Sequence, residues 1–563
     1  MRTYKLSPLA TFVESQLIPT ITEYAVFHRL TGQLVQLQPQ LRSFLQVVQD
    51  GSPIKLTAEQ LSYLREAGYQ IPRLIDLELL IPDTSDHLAS LVDYYVGRPL
   101  HNPGVTYQNK SGEVSVVSML MAERVYSPKP GQLPPVIEET FPELATNILL
   151  AADGTKTLAQ IYATLSGERQ SLLDDQNFRD ALEFLSTPER QLIKCAPAID
   201  GFADPFQPAN TVPRNLYHAR RWTEREPAKS IGDFHLEGID DATWEFDIIE
   251  PTVNHILRFP GQLLSGLDYG TRFCDAVFEH VVSRKIDGDF ELLEIGGGTG
   301  SFARSFITRA QTKVGSLSYQ IMDLSPALAE NQRRILSDIH PPVGHINQDA
   351  IRLDLPGSKF DLILLNEVIA DFPVAAVERE GGHFTGAGAA FVEEYALAVD
   401  DAPARFYVNS GVFQFLERAW THLKPGGLVI LSEYGGESIY PLEGFHLNHS
   451  EFSIHFGHVI ACARKIGFKC RLQSLKELLG IDDRIPVLNG REEHILCLNF
   501  VFQKYGRALP FALFSEVDFN HSFGELAGRL SLGPVRFLPL SSNFHYGPNL
   551  GDFFVLILEK NVS

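Results

Sequence analysis

The stretch LLEIGGGTGSFARSF, residues 292–306, decides the fold. Leu292 to Ile295 is an apolar run suited to a buried strand. It breaks at GGGTG, and SFARSF resumes with helical spacing. Strand, glycine bend, helix is the first turn of a nucleotide-type α/β fold. Gly296, Gly298 and Gly300 stand at G-x-G-x-G spacing. A Cβ at these places would hold a ligand away from the main chain and from the helix N-terminus. A tight strand-to-helix turn needs glycine too, so this motif alone leaves both readings open.

Working outward, apolar strands alternate with amphipathic helices. LSYQIMDLS reads as a strand and PALAENQRRILSDI as a helix. FDLILLNEV is a strand, VFQFLERAWTHL a helix ending at KPGG, LVILSEYGG a strand and HFGHVIACARKIGF a helix. This order predicts an α/β domain with a mostly parallel sheet covered on both faces. Asp323 ends the second strand, where an acidic residue can accept hydrogen bonds from both hydroxyls of a ribose. Asp349, in INQDAIRLDL, follows the third strand and can reach an exocyclic amine. Asn366 and Glu367 end the fourth strand, at the carboxyl edge where open α/β sheets bind ligands.

The pieces EIGGGTG, IMDLS, QDA, LLNEV and LKPGG, in this order from Leu292 to Phe468, resemble the class I S-adenosylmethionine-dependent methyltransferases. The resemblance implies a Rossmann-like fold and S-adenosyl-L-methionine as cofactor. Its surround would be Glu294, Gly296, Gly298, Gly300, Asp323, Leu324, Asp349, Ala350 and Asn366. A dinucleotide motif is not met, since positions 296, 298 and 301 read Gly, Gly, Ser. DLSPALAENQRRIL, NEVIADFPV and LVILSEYGG resemble, more narrowly, the MidA-like methyltransferases, the mitochondrial complex I assembly-factor family, associated with protein arginine methylation. That family's H-V-D-F segment is replaced here by Ser453-Ile454-His455-Phe456. A weaker resemblance at the sheet edge is to metal-dependent methyltransferases of polyketide loading modules.

Composition narrows the field. The chain has 563 residues and a formal charge of −21, which argues against tracking a nucleic-acid backbone. No uncharged apolar run is long enough for a membrane span. Five scattered cysteines without CxxC spacing suggest a reducing, cytoplasmic setting. Pro-rich stretches at 125–143 and 203–215 divide the chain into 1–125, 126–205 and 206–563. In the first block, 41–50 and the segment after Thr57 read as helical, and 112–126 as a strand. The middle block reads helix, Gly turn, a helix capped by Thr157, helix, strand. This is the winged-helix order, and ADGTKTLAQIYATL resembles the PqqD-like peptide-recognition domains. An N-terminal α+β accessory region is therefore expected. The insertion 374–409 is expected as a lid or substrate wall.

A sulfonium methyl group needs an in-line nucleophile and, if that nucleophile arrives protonated, a base. Glu367, Asp371 and Glu433 are the candidate carboxylates. His455 is the candidate from the histidine-rich run that also holds His446, His449 and His458. That run could orient an acceptor or, with a carboxylate, hold a divalent metal. Tyr269, Gly270, Asn254 and His255 could cover the cofactor from before the first strand. The reading is methyl transfer to an acceptor presented by a peptide, protein or carrier domain, with N-methylation first and a homodimer compatible. Its rivals are metal-assisted C- or O-methylation of a small or carrier-bound acid, and a non-catalytic assembly factor that keeps the cofactor fold.

Overall fold

A computed structural model describes residues 2–561 apart from 37–53, 120–134, 167–171, 198–251, 281–287, 543–549 and interruptions of one to four residues. The predicted helix at 41–50 and the 203–215 linker lie outside the described residues. The chain forms two compact units. One comprises 226–490, 511–522 and 537–563, and the other 1–225, 491–510 and 523–536.

The first of these is built on an eight-stranded sheet. Its main strands are β1 (Asp289–Ile295), β2 (Ser316–Asp323), β3 (Gly344–Asn347), β4 (Phe360–Asn366), β5 (Leu423–Gly436), β6 (Phe468–Ser474) and β7 (Phe553–Lys560). Their spatial order is β3-β2-β1-β4-β5-β7-β6, and Ile454–His455 adds a short pairing to the end of β5. Strands β1 to β5 are parallel, and β7 runs antiparallel between β5 and β6. The expected mostly parallel α/β sheet is present.

Alternation along the strands builds two cores. Leu293, Ile295, Ile363, Leu365, Val429 and Leu431 face one side, and Leu292, Leu362, Leu364 and Ile430 the other. Helices α1 (Tyr269–His280) and α2 (Ser301–Ala310) cover the second face through Phe273, Val277, Phe302 and Phe306. Helices α4 (Ser410–His422) and α5 (Phe456–Ile466) cover the first through Phe413, Leu416, Val459 and Ala463. Each such fully buried Phe contributes roughly 1.5–3 kcal/mol relative to exposure. Helix α3 (Pro326–Ile335) starts where its sequence predicts: Ser325 Oγ accepts the Leu328 N–H at 3.3 Å, and Pro326 takes the first turn.

The insertion 374–409 differs from the expected loop. Ala375–Glu380, His383–Thr385 and Arg405–Val408 form a small antiparallel sheet, followed within it by the helix Ala389–Glu394. Val377, Val392, Phe406 and Val408 are buried in the same core as β4 and β5, so packing holds the segment in place.

The other unit departs from the expected boundaries. Leu88, Leu91, Val96 and Val116 share one core with Ile148, Leu158, Ile161, Phe178 and Leu182. The helices Glu143–Ala151, Leu158–Ser166 and Gln176–Ser186 appear in the predicted order. However, the strands Asp153–Thr157 and Lys194–Ala196 both pair with Tyr95–Gly97. A strand from before residue 125 thus completes the sheet, and a cut at 125 would expose both. The helix Glu492–Lys504 also belongs to this unit, although 206–563 reads as a single domain. Two predicted caps are present. Thr57 and Gln60 exchange bonds of 2.8 and 3.1 Å, and Thr157 and Gln160 bonds of 2.9 and 3.2 Å. The strand predicted at 112–126 is observed at Val114–Met119.

All five cysteines are free thiols. No described helix is long and apolar enough to cross a membrane.

Candidate functional site

Register brings the site together. Ile295 lies across from Met322 and from Leu365, Asp323 across from Asn347, and Asn366 across from Ser432. Gly296, Asp323, Asn366, Glu367 and Glu433 therefore stand at neighbouring strand ends on one carboxyl edge.

The glycine bend follows β1. Its first N–H, from Gly296, donates to the Met322 carbonyl at 2.8 Å. Gly296, Gly298 and Gly300 have φ of +69°, +50° and +87°, a region L-residues with a Cβ enter only at a cost. The three differ in surroundings. A Cβ on Gly296 would lie 2.5 Å from Val368 Cγ2, and one on Gly300 3.2 Å from Gln332 Cα. Among the described residues, a Cβ on Gly298 meets no heavy atom within 4 Å. Packing demands the outer two glycines, while the middle one fronts open space where a ligand can approach.

Asp323, at the tip of β2, is buried with both oxygens engaged. Oδ1 accepts the Ser325 N–H at 2.9 Å, and Oδ2 accepts Gln332 Nε2 at 2.7 Å. These two bonds fix the orientation of the carboxylate at the strand end. Asn347 Nδ2 donates to the carbonyls of Asp323 and of the half-buried Leu324 at 2.9 and 3.1 Å, which sets the chain direction after β2. Glu294 lies under the bend and accepts the Tyr319 hydroxyl at 2.9 Å. Burial, with the nearby Asp323 adding, pushes its carboxyl up to about 8 against the opposing Tyr319 bond. It supports the bend from below. Asp349 caps the turn Ala350–Arg352, its Oδ1 accepting the Ile351 N–H at 3.0 Å; Ala350 is buried beside it.

Beyond β4 the roles differ from those expected. Asn366 Oδ1 accepts the Tyr269 hydroxyl at 2.7 Å, and its amide donates to Glu367 Oε1 at 3.2 Å. Glu367 has φ +54° and accepts the N–H groups of Val253 and Asn254 at 2.7 and 3.3 Å. It anchors the turn that opens the short helix Val253–Ile256. Burial is the main reason its carboxyl rises to about 7, with Glu451 adding and the hydrogen bonds opposing. Glu433 is buried and accepts the N–H groups of Tyr434 at 3.0 Å and Ala370 at 3.2 Å, joining β5 to the turn Ile369–Asp371. Burial, then Glu451 and Glu367, hold it well above the usual carboxylate range. Asp371 is half-buried on that turn.

His455 is placed differently from a base at the acceptor. It is the N-cap of α5, its Nδ1 accepting the His458 N–H at 3.2 Å. The two rings stack at 3.6 Å and 3°, and His458 Nε2 faces the Ala398 carbonyl at 3.0 Å. Burial chiefly, with His458 beside it, lowers His455 to about 4, so the ring is neutral. The pair ties α5 to the insertion. Among the described residues, no group of three or more His, Cys, Asp or Glu could hold a metal ion. The side chains of His446 and His449 lie outside the described residues.

The expected cover from the lead-in is packing instead. Tyr269 is fully buried, with ring centroids 5.7 Å from Phe273 and 5.8 Å from Phe302. A Cβ on Gly270 would come 2.8 Å from the Phe302 carbonyl, so this glycine permits close approach of α1 and α2. Asn254 Nδ2 donates to Ser301 Oγ at 3.1 Å, at the start of α2, and His255 is half-buried on the same short helix.

Gln332 closes the S-P-x-L-x-x-x-Q pattern of DLSPALAENQRRIL, which supports the narrower resemblance, but the sequence alone assigns it no role at the site. A signal was available: it falls on the face of α3 that buries Leu328 and Ala329, where an amide is out of place.

Fold and edge define the class. Residues 274–405 match a family model described as "Putative S-adenosyl-L-methionine-dependent methyltransferase". The protein is an S-adenosylmethionine-dependent methyltransferase, and S-adenosyl-L-methionine is its cofactor. No curated protein matches the chain. Among solved structures, an uncharacterised protein from Burkholderia thailandensis is similar at 16% identity, over 52% of this chain and 79% of that one, with a TM-score of 0.32. Another protein from that organism, bound to S-adenosyl-homocysteine, is similar at 16% identity over 55% and 83%, with a TM-score of 0.31. An S-adenosylmethionine-dependent methyltransferase from Clostridium acetobutylicum is similar at 9% identity over 53% and 95%, with a TM-score of 0.28.

The residues fit the cofactor, because the bend opens at Gly298 and Asp323 presents oriented acceptors beside it. Gly298, Asp323 and Asn366 are the residues that would hold it. When bound, it supplies a methyl group already activated by the sulfonium, so the chain's own task is to orient donor and acceptor.

Proposed function

We propose that the acceptor is a nitrogen nucleophile presented by a peptide, protein or carrier domain. One observation carries this reading: Glu367, Glu433 and Glu451 share one electrostatic neighbourhood at the carboxyl edge. Crowded carboxylates destabilise one another, and a cationic amine or guanidinium relieves them. Glu367, raised to about 7, is matched to accept a proton near neutral pH. The Val253 and Asn254 N–H groups and the Asn366 amide fix its carboxyl group; Oε1 accepts two of these bonds and Oε2 one, so Oε2 is the oxygen proposed to meet an acceptor N–H.

We read the helices Glu143–Ala151, Leu158–Ser166 and Gln176–Ser186, with the resemblance to PqqD-like domains, as a winged-helix-like module that recognises the acceptor's carrier. A cytoplasmic site of action accords with five free thiols. The test is intact-mass detection of a labelled methyl group on peptides, proteins and carrier-bound thioesters. Label on nitrogen supports the proposal; label on carbon or oxygen of a carrier-bound acid overturns it.

A further inference from the structure

We propose that Gln332 is a positioning residue for the cofactor, clamping the glycine bend to the carboxylate at the end of β2. The residue is fully buried on an apolar helix face, and its Nε2 serves two different segments. It donates to the Gly298 carbonyl at 2.9 Å and to Asp323 Oδ2 at 2.7 Å. These two acceptors fix the orientation of the amide, since turning it over would set Oε1 against both. Among the described residues, the buried Oε1 accepts no hydrogen bond. An apolar side chain of similar volume would avoid that cost, so packing alone does not account for glutamine here.

The glycine run packs closely against Gln332 and Ile321. A Cβ on Gly297 would stand 2.6 Å from Ile321 Cγ2 and 3.0 Å from Gln332 Nε2, and one on Gly300 3.2 Å from Gln332 Cα. Gly297 makes room for Ile321 and the Gln332 amide, and Gly300 for the helix backbone at Gln332. Gly298, between them, has its carbonyl drawn to the amide while its Cβ direction stays open. The peptide unit is planar and trans, so drawing the Gly298 carbonyl one way points the Thr299 N–H the other way. On the Asp323 side, Gln332 and the Ser325 N–H hold one oxygen each, so the carboxylate cannot rotate. One amide thereby sets both halves of the cradle, the bend and the acidic tip.

This rests on the cofactor reading, and the test separates the two. S-adenosylhomocysteine binding is measured by calorimetry on the full chain, with thermal midpoints taken with and without it. Q332L keeps the volume and removes the clamp. Its affinity is expected to fall tenfold or more, with loss of most of the ligand-induced rise in midpoint. Q332M serves the same purpose if Q332L does not fold. Q332E sets a second carboxylate against Asp323, with Glu294 and Tyr319 as the nearby titratable groups. Its binding is expected to be weak at pH 8 and to recover toward wild type near pH 5.5, when a shared proton restores the donor. A solely structural residue would not move that pH profile. Wild-type affinity in Q332L or Q332M, or a wild-type pH profile in Q332E, overturns the assignment. A wild-type chain that binds no S-adenosylhomocysteine sinks the cofactor reading and this assignment together.

Discussion

Replacing Gly298 with alanine separates ligand contact from folding. At φ +50° a Cβ costs roughly 1–2 kcal/mol of backbone strain. Among the described residues no heavy atom lies within 4 Å of the added carbon, so no clash with them adds to it. For a domain of this size the thermal midpoint should fall by about 2–8 °C. On the proposed placement of the cofactor, the same carbon stands in its path. Overlap of one carbon with a fitted neighbour costs about 1–3 kcal/mol, or about 5–150-fold in affinity. Gly296→Ala should behave in the opposite way. Its Cβ would lie 2.5 Å from Val368 Cγ2 and 3.0 Å from Val368 Cβ, so folding carries the penalty, and Val368→Ala should return part of it. Calorimetric titration with S-adenosylhomocysteine and thermal unfolding read both quantities. A Gly298→Ala protein with wild-type affinity would refute ligand approach at the bend. Equal stability losses in the two variants would refute the distinction drawn between the glycines.

Other outcomes follow from the edge residues. Glu367→Ala removes the acceptor of the Val253 and Asn254 N–H groups, a loss of about 1–3 kcal/mol, with faster amide exchange at those two positions; unchanged exchange would contradict the anchoring role. Glu294 holds its proton to about pH 8 in the folded chain, above the ordinary value of 4.5. Its contribution is complete below pH 4.5 and lost as pH rises through 8, so Glu294→Gln should flatten the fall in thermal midpoint between pH 5 and 8.5. His455 is depressed to about 4, so its contribution is present above the ordinary 6.5 and lost as pH falls through 4. His455→Asn keeps an N-cap acceptor and should resist acid better than wild type in unfolding scans from pH 7 to 4.

Much of this fold is legible locally. Ser325-Pro326, Thr57 with Gln60, and Thr157 with Gln160 announce helix starts because a cap and its partner lie three residues apart. Strands β1, β2, β4 and β5 are recognisable as short apolar runs bounded by glycine or acidic tips. The glycine bend and Asp323 are legible for the same reason, as small and acidic residues at strand ends, and carry the proposed placement of the cofactor. Glu367 was read as facing the acceptor, yet its carboxylate also anchors a turn more than a hundred positions earlier, a partnership no spacing rule discloses. The histidine run looked chemical, whereas His455 and His458 form a neutral stacked cap.

The amino-acid order alone determined the alternation of strands and helices, the bend at 296–300 and the acidic tip at 323, because periodicity, capping and glycine φ are properties of neighbours in the chain. Tertiary structure alone decided the insertion of β7 between β5 and β6, the recruitment of Tyr95–Gly97 to the later helical block, and the hold of Gln332 on both Gly298 and Asp323. Each of these joins segments far apart in sequence, and such pairings are selected by burial and hydrogen-bond satisfaction only once the whole chain has packed.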